Sequence, residues 1–385
     1  MKNSWLNPAF QIAAIFSFRM LGLFMLIPVF TLYANQLQGA TPLLLGLALG
    51  SYGLTQGLFQ IPFGMLSDRY GRKPVITLGL LLFAGGSILG GQTHSIAGMI
   101  LARTLQGAGA IGSVLIALLA DITAERHRTK AMAVIGATIG LSFSIAFILS
   151  PSLAAVAGLA GIFYLTAGLA ILGLGILYCI PTATQPIEKP ISTLQQLKKV
   201  FFDKDLLRLD AGIFFQHFIL VASFYVLPMT LQQHIRAGHL TQSWHFYVWV
   251  IVGSFLTMIP IMLYSEKYQK VKACFLTAIT LIGISQCALI VAPNSLIWLG
   301  VIVFLYFVAF NFLEANLPSL ISKQANPQTK GSALGVYSSS QFLGIFVGGV
   351  LAGLLYSHAG ATGVFTLNAG VAFVWLYLSL NMKIQ

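Results

Sequence analysis

The chain has 385 residues, of which 57% are hydrophobic and only 8% are charged, and its formal net charge is +12. Soluble domains carry about 25% charged residues, so this composition excludes an ordinary water-soluble protein and indicates a chain whose solvent is the lipid bilayer. The positive charge does not indicate a nucleic-acid-binding protein, because the bases form short clusters between apolar runs rather than one patch.

The apolar runs predict an all-α integral membrane protein with twelve transmembrane helices. A stretch of about 20 apolar residues crosses the hydrocarbon core, whereas strands with open edges would leave backbone groups unpaired in lipid. In chain order, the predicted spans are 8–34, 43–66, 75–92, 96–121, 130–157, 161–180, 206–235, 243–265, 271–291, 295–321, 328–357 and 361–381. The first span is too long for the apolar core of a cleaved signal peptide, so we expect it to remain in the protein.

The longest polar stretch divides the spans into two sets of six. The predicted organisation is an N-terminal six-helix bundle at 1–180, a cytoplasmic linker at 181–205 and a C-terminal six-helix bundle at 206–385. Within the linker, the sequence LQQLKKVFF is typical of an amphipathic helix that lies on a membrane surface.

The lysines and arginines predict the orientation of the chain. With a cytoplasmic N-terminus, 18 of the 21 Lys and Arg residues fall on the cytoplasmic side and only Arg236 falls on the opposite side. The other two, Arg19 and Arg103, lie inside predicted spans. Because cytoplasmic loops are enriched in Lys and Arg, we expect both termini in the cytoplasm.

The two halves resemble each other as a diverged internal repeat. The sequence IPFGMLSDRYGRK follows the second span, and IPIMLYSEKYQK occurs at an offset of 198 residues. Thr129-Lys130 and Thr329-Lys330 match at an offset of 200. Parallel repeats of this kind are typical of transporters in which the substrate site lies between the two repeats.

Several motifs resemble those of the major facilitator superfamily. GMLSDRYGRKP, which begins at Gly64, is similar to the family's signature loop after the second helix, and RTLQGAGA, which begins at Arg103, is similar to its fourth-helix motif. FRMLGLFMLIPV, EANLPSLIS and KGSALGVYSSSQFLG also look like an inner-membrane branch of this family, so the resemblance extends over essentially the whole chain. It implies two six-helix bundles in the bacterial inner membrane.

The charged turn, residues 64–73 with Asp121, is expected to be a cytoplasmic gating element. Its members are Gly64, Asp68, Arg69, Gly71, Arg72, Lys73 and Asp121. Gly71 would allow the chain to reverse direction, and Asp121 could pair with one of the arginines of the turn. By family resemblance, Asp68 would meet the positive end of span eleven, just after Asn326-Pro327.

Charged residues at membrane depth predict a polar central cavity. Arg19 and Arg103 are expected to face this cavity or a partner, because an exposed charge in lipid costs several kcal/mol; the alternative is that each only ties helices together through backbone carbonyls. Glu314 is the only acid well inside a span, with Asn311 three residues earlier, and is the first candidate for a proton carrier. His217 is a further titratable candidate. The remaining polar residues proposed to line the cavity are Gln56, Gln60, Gln106, Gln216, Tyr225, Tyr337 and Gln341.

Small residues indicate where helices approach closely. Both span two and span eleven contain glycines in small-xxx-small spacing. They are Gly46, Gly50, Gly53 and Gly57 in span two, and Gly344, Gly348, Gly349 and Gly353 in span eleven. In the family, these two helices face each other. The fifth-helix motif of antiporter members is degraded, since small residues other than glycine stand at its positions while Pro151 is kept.

The predicted activity is secondary transport by alternating access, with proton-coupled efflux of a small organic compound. We expect a monomer without a cofactor, driven by the proton gradient, with the lipid bilayer and a small-molecule substrate as its partners. Alternatives are uptake or facilitated transport of a neutral or anionic solute, which Arg19 favours, and a non-transporting receptor or scaffold. An enzyme is not expected, because no nucleophile–base or metal-ligand spacing occurs, and the absence of a Gly-Lys dipeptide excludes a Walker A phosphate loop.

Overall fold

The computed structural model describes residues 6–123, 125–181, 200–291, 295–326 and 329–382. Over these residues the chain is helical, and its one β-type pairing is an isolated bridge between Gln38 and Ser95. Within the same ranges, ten helices are long and apolar enough to cross a membrane by length and composition. The predicted linker helix covers residues 194–202, of which 194–199 lie outside the described residues.

The helices are numbered here in chain order. They are α1 Leu6–Phe24, α2 Phe30–Ala34, α3 Pro42–Tyr70, α4 Arg72–Gln92, α5 Ile96–Ala108, α6 Gly112–Ile122, α7 Glu125–Cys179, α8 Lys204–Arg236, α9 Ser243–Lys267, α10 Val271–Val291, α11 Leu296–Gln324 and α12 Lys330–Leu380.

Two predicted spans are interrupted, which corrects the expectation of one continuous helix for each. In span one, the break between α1 and α2 contains Pro28, which has no N–H to donate to the preceding turn. In span four, the break between α5 and α6 lies at Gly109. There the backbone comes so close to Gly79 that a side chain on Gly109 would overlap the Gly79 carbonyl oxygen.

Two helices are each long enough for two crossings. Helix α7 has 55 residues and α12 has 51, although about 20 residues span the hydrocarbon core. Each contains one glycine with non-helical backbone angles, Gly158 at φ 65° and Gly360 at φ 60°. These glycines fall at the predicted boundaries between spans five and six and between spans eleven and twelve, so the helices are consistent with twelve crossings.

The helices form two compact units. The first contains α1, α2, α4 to α7 and the part of α3 after Gly50, and within it α1 and α4 pack along α7. The second contains α8 to α12 together with Thr41–Gly50, and within it α8 and α10 pack along α12. Large apolar side chains remain on the outside, with Val156 90% exposed and Trp249 80% exposed, as suits helices surrounded by lipid.

The small-residue faces occur where they were predicted. A side chain on Gly46 would overlap the carbonyl oxygen of Gly349, and one on Gly50 would lie 2.7 Å from the carbonyl oxygen of Phe346. The backbone at the start of α3 therefore lies directly on the backbone of α12 within the second unit. Glycine at these positions is required because any Cβ would enter the neighbouring helix.

The internal repeat is visible in the backbone. Gly71 has φ 91°, and Gln269, which lies 198 residues later, has φ 52°. Ser95 and Ser295, 200 residues apart, cap the starts of α5 and α11 in the same way, each accepting a hydrogen bond from the N–H three residues on. Each unit thus has a positive φ and the same helix cap at matching places, although only Gly71 separates α3 from α4 whereas residues 268–270 separate α9 from α10.

Candidate functional site

The charged turn is much tighter than the predicted loop. Helix α3 continues to Tyr70 and α4 begins at Arg72, so Gly71 alone separates them, with φ 91° and ψ 157°. That conformation is almost exclusive to glycine. Asp68 therefore lies in the last turn of one helix and Arg72 in the first turn of the next, and Pro74 follows where a missing N–H costs little.

Arg72 is the centre of this turn. Its guanidinium donates to Asp68, to Asp121 at 2.9 Å and to the Ser67 hydroxyl at 2.7 Å. Asp121 lies at the end of α6, so the pairing expected for it is present and its partner is Arg72. One arginine with two carboxylates ties α3, α4 and α6 together, and the three charges sum to −1.

The other members of the turn make simpler contacts. The Lys73 ammonium donates to the carbonyl oxygen of Ile180 at the end of α7. Arg69 is exposed, and its guanidinium lies 5.4 Å from the ring centre of Tyr70. A Cβ on Gly64 would be 3.7 Å from the Ser113 hydroxyl, which is ordinary contact. The contact predicted for Asp68 involves Pro327, which lies outside the described residues.

Arg19 lies on α1 with its side chain only 2% exposed. Its Nη2 donates to Gln56 on α3 and to the Tyr52 hydroxyl at 3.2 Å. Gln56 in turn donates to Gln60 at 2.9 Å. The structure thus brings three of the predicted cavity residues together, but Arg19 Nε and Nη1 have no hydrogen-bond partner in the described part of the chain.

Arg103 lies on α5 and is 1% exposed. Its Nη1 donates to Gln106 at 2.8 Å, and Gln106 donates to the Ser87 hydroxyl of α4 at 2.8 Å. Its guanidinium carbon lies 4.7 Å from the ring centre of Tyr52, a cation–π distance. Arg103 Nε has no hydrogen-bond partner among the described residues.

Tyr52 joins the two arginines into one arginine cluster. This cluster consists of Arg19, Tyr52, Gln56, Arg103 and Gln106. Tyr52 itself is fully buried. Sequence reasoning did not select Tyr52, because one tyrosine in an apolar span carries no signal of its own; its spacing of four residues from Gln56, on the same helix face, was the available clue.

A second polar group, the glutamate cluster, lies in the second unit and consists of Gln216, His217, Glu314 and Gln341. Gln216 on α8 donates from Nε2 to Glu314 of α11 at 2.9 Å. The His217 Nε2 atom lies 3.9 Å from the same carboxylate oxygen and 2.8 Å from the Gln341 amide nitrogen of α12. Three helices therefore bring the predicted titratable residues into one site.

The hydrogen bonds of His217 specify its tautomer. Its Nδ1 lies 3.3 Å from the carbonyl oxygen of Ile213, which can only accept, so Nδ1 carries a proton. Nε2 then accepts from the Gln341 amide, which leaves the ring neutral in this arrangement. A second proton on Nε2 would require the Gln341 amide to rotate or Nε2 to turn toward Glu314, so the ring can exist in two hydrogen-bonded states.

Two predicted members stand apart from the hydrogen bonds of the glutamate cluster. Asn311 shares the helix face of Glu314 but donates to the Ser254 hydroxyl of α9 at 3.2 Å. Tyr337 is buried, and its hydroxyl has no hydrogen-bond partner in the described part of the chain. Neither residue therefore shares a hydrogen bond with Glu314 in the described part of the chain.

Some polar residues of the second unit were not predicted. Asp210 lies near the start of α8, where its side chain is 4% exposed and Oδ1 has no hydrogen-bond partner among the described residues. Ser223, Gln286 and Asn368 form a closed hydrogen-bonded triangle with distances of 3.0–3.1 Å. The triangle joins α8, α10 and α12, and it is a polar tie of the kind that membrane helices use.

Over the described residues, no group of three His, Cys, Asp or Glu side chains is placed to hold a metal ion.

The arginine cluster and the glutamate cluster differ in chemistry. The arginine cluster combines two permanent cations with neutral amides, and it can bind an anion but cannot exchange a proton at ordinary pH. The glutamate cluster combines a carboxyl and an imidazole, and it can take up and release protons.

Comparison with known proteins gives one consistent family. The profile of the Major Facilitator Superfamily matches residues 12–234 and 209–382. The inner membrane transport protein YajR of Escherichia coli is 42% identical over 376 residues, which cover 97% of this chain and 82% of that protein. The multidrug resistance protein MdtH of Aeromonas salmonicida is 26% identical over 89% of this chain and 86% of its own. The solved structure of the nucleoside transporter NupG superposes with a TM-score of 0.74 at 16% identity, covering 99% of this chain and 100% of that one.

Proposed function

This chain belongs to the major facilitator superfamily, and from that premise we propose that it is a proton-coupled secondary transporter that exports a small organic compound by alternating access. The observation that carries the proposal is the glutamate cluster, because it places a carboxyl beside an imidazole inside membrane helices. A charged group at such depth is costly unless it serves a pathway or a partner.

The hydrogen bonds of Glu314 support a role in carrying a proton. In the ionised state, its carboxylate accepts from the Nε2 amide of Gln216. In the protonated state it would become a donor, and Gln216 Oε1, which has no hydrogen-bond partner among the described residues, could accept from it if the amide turned over and released Phe310. One amide could thus serve both protonation states.

The direction and the setting of transport are part of the same proposal. Export is favoured by the names of relatives such as the multidrug resistance protein MdtH. The strong asymmetry of Lys and Arg along the sequence favours cytoplasmic termini, and the similarity to an inner membrane protein of Escherichia coli favours the bacterial inner membrane. We propose a monomer that needs no bound cofactor beyond the proton gradient.

The test uses purified protein in liposomes that contain a pH-sensitive dye. A pH gradient is imposed, compounds of a chemically broad panel are added one at a time, and compound-dependent proton flux is recorded. We expect Glu314→Gln to abolish gradient-driven flux while exchange of the compound without a gradient persists, because the amide retains the hydrogen bonds but cannot ionise.

The matched control is Glu266→Gln, which makes the same chemical change at an exposed residue near the end of α9. It should behave like the unaltered protein. Full gradient-driven transport by Glu314→Gln would disprove its role as proton carrier. Absence of flux with every compound in the unaltered protein would instead favour a receptor or scaffold.

A further inference from the structure

Among the described side chains, the first unit buries two positive charges with no acid beside them. Arg19 is 2% exposed and Arg103 is 1% exposed, and both guanidiniums contact Tyr52. The only acids with described side chains in this unit are Asp68 and Asp121, and both pair with Arg72. Two like charges near one side chain repel each other strongly where water is excluded.

The partners of these arginines hold them without neutralising them. Arg19 donates to a tyrosine hydroxyl and to Gln56, and Arg103 donates to Gln106. Three guanidinium nitrogens, Nε and Nη1 of Arg19 and Nε of Arg103, are buried with no hydrogen-bond partner in the described part of the chain. Burying a charged donor that lacks a partner is expensive, so the arrangement is unfavourable until something accepts these bonds.

On one side, Arg19 is next to a glycine, so no side chain fills the space beside it there. Gly112 lies at the start of α6, and a Cβ built on it would come 3.6 Å from Arg19 Nη1 and 3.3 Å from Gln60 Nε2. The side of Arg19 that carries an unpaired nitrogen therefore faces a residue without a side chain. A planar two-oxygen acceptor suits a guanidinium better than any other group in proteins.

We propose that the arginine cluster is the recognition site for a carboxylate group of the transported compound, with Arg19 and Arg103 as binding residues on either side of Tyr52. The proposal rests on the proposed transport function and specifies the substrate as an organic anion. The role of the two amides, Gln56 and Gln106, is to orient the arginines while leaving the charges free for the substrate.

A purely structural role makes a different prediction. If the arginines only tie helices together, they should need no anion, and removing either charge should lower stability without changing any selectivity for ligand charge. If they bind a carboxylate, the protein should prefer acids over neutral analogues of the same shape, and this preference should depend on both arginines.

The experiment measures thermal stabilisation of the full chain in detergent, because a ligand that binds the folded state raises its stability. The probes are sets of aromatic and aliphatic carboxylic acids, each with the amide and the amine of the same skeleton. We expect stabilisation by acids alone. We expect Arg19→Gln and Arg103→Gln each to weaken binding of the best acid by about tenfold or more, the value of a charge-assisted hydrogen bond.

Two further variants separate charge from folding. Arg19→Lys keeps the positive charge and should retain part of the affinity, while Arg236→Gln removes a charge from an exposed site on α8 and should change nothing. If Arg19→Gln does not fold, Arg103→Gln and the preference of the unaltered protein for acid over amide carry the test.

The proposal is overturned if amides or amines stabilise the protein as well as acids do, if no acid stabilises it, or if the Gln variants bind the acid unchanged. These outcomes are independent of proton coupling. Gradient-driven flux of a neutral or cationic compound would leave the proposed function intact and refute the anion site. Arginine-dependent binding of an acid without gradient-driven flux would support the anion site and refute the proposed proton-coupled transport.

Discussion

Gly348 gives a sharp test of how α8 and α12 pack. A Cβ built on Gly348 would lie 2.5 Å from the carbonyl oxygen and 2.8 Å from the Cα of Phe218 on α8. Both atoms belong to the backbone of a helix, so neither can move aside like the end of a flexible side chain. Gly348→Ala must therefore push the two helices apart, and α8 is the most deeply buried helix among the candidate spans.

The expected change in stability of Gly348→Ala follows from two opposing effects. Replacing Gly by Ala stabilises a helical site by about 0.4–1 kcal/mol where the new methyl group has room. Overfilling a packed contact costs about 1–3 kcal/mol. Gly370, also on α12, is exposed, and a Cβ added to it would have no atom within 4 Å, so Gly370→Ala is the matched control. Because the helical gain is common to both variants, the difference between them should be the overfilling cost, roughly 1–3 kcal/mol.

The assay is the unfolding temperature of each purified variant in the same detergent. Gly370→Ala should unfold at or above the temperature of the unaltered protein, and Gly348→Ala should unfold below it. Because membrane proteins often unfold irreversibly, the sign and order of the shifts at one heating rate are compared rather than equilibrium values. Equal shifts for both variants would refute the close backbone contact between α8 and α12.

Two more predictions concern the charged turn. Gly71→Ala should lower stability by about 1–3 kcal/mol, because φ 91° with ψ 157° is open only to glycine. Gln269→Gly should raise stability by up to about 1 kcal/mol, because it relieves the left-handed backbone at φ 52°. The unfolding temperatures of the two variants check both signs. Asp68→Asn should leave folding within about 1 kcal/mol, as expected for a half-exposed ion pair, yet slow transport. Chromatographic behaviour and liposome flux measure these two effects, and undiminished transport would reduce Asp68 to a topological role.

The sequence predicted the helices well because lipid imposes a length and an apolar character on each. It did not predict the breaks within spans one and four. Pro28 and Gly109 are both permitted in membrane helices when neighbouring groups satisfy the backbone, so neither residue alone indicates a break. Gly158 and Gly360 lie at predicted boundaries between spans, since a glycine between two apolar runs is where a chain most easily departs from helical angles.

The candidate residues were predicted better as individuals than as groups. Arg19, Arg103 and Glu314 could be selected because a charge in an apolar span is rare and costly. Gln56, Gln106 and His217 could be named as polar candidates but not paired with a particular charge, since an amide or hydroxyl in a membrane helix is as often a tie between helices as part of a site. Asn311 was selected because it shares a helix face with Glu314, and in the structure its amide donates to Ser254 on a different helix.

The matching turns show which features of the repeat each unit has kept. Position 71 and its counterpart 269 both adopt positive φ, although the second is glutamine and bears the strain that glycine avoids. A chain reversal with a positive φ is therefore present in both units with two different residues, so it does not depend on glycine alone. The chemistry has diverged in the opposite way, because the two buried cations lie in the first unit and the carboxyl–imidazole pair lies in the second. Under the two proposals above, the anion site and the proton site lie in separate units, so a substitution in one cluster should leave the hydrogen bonds of the other unchanged.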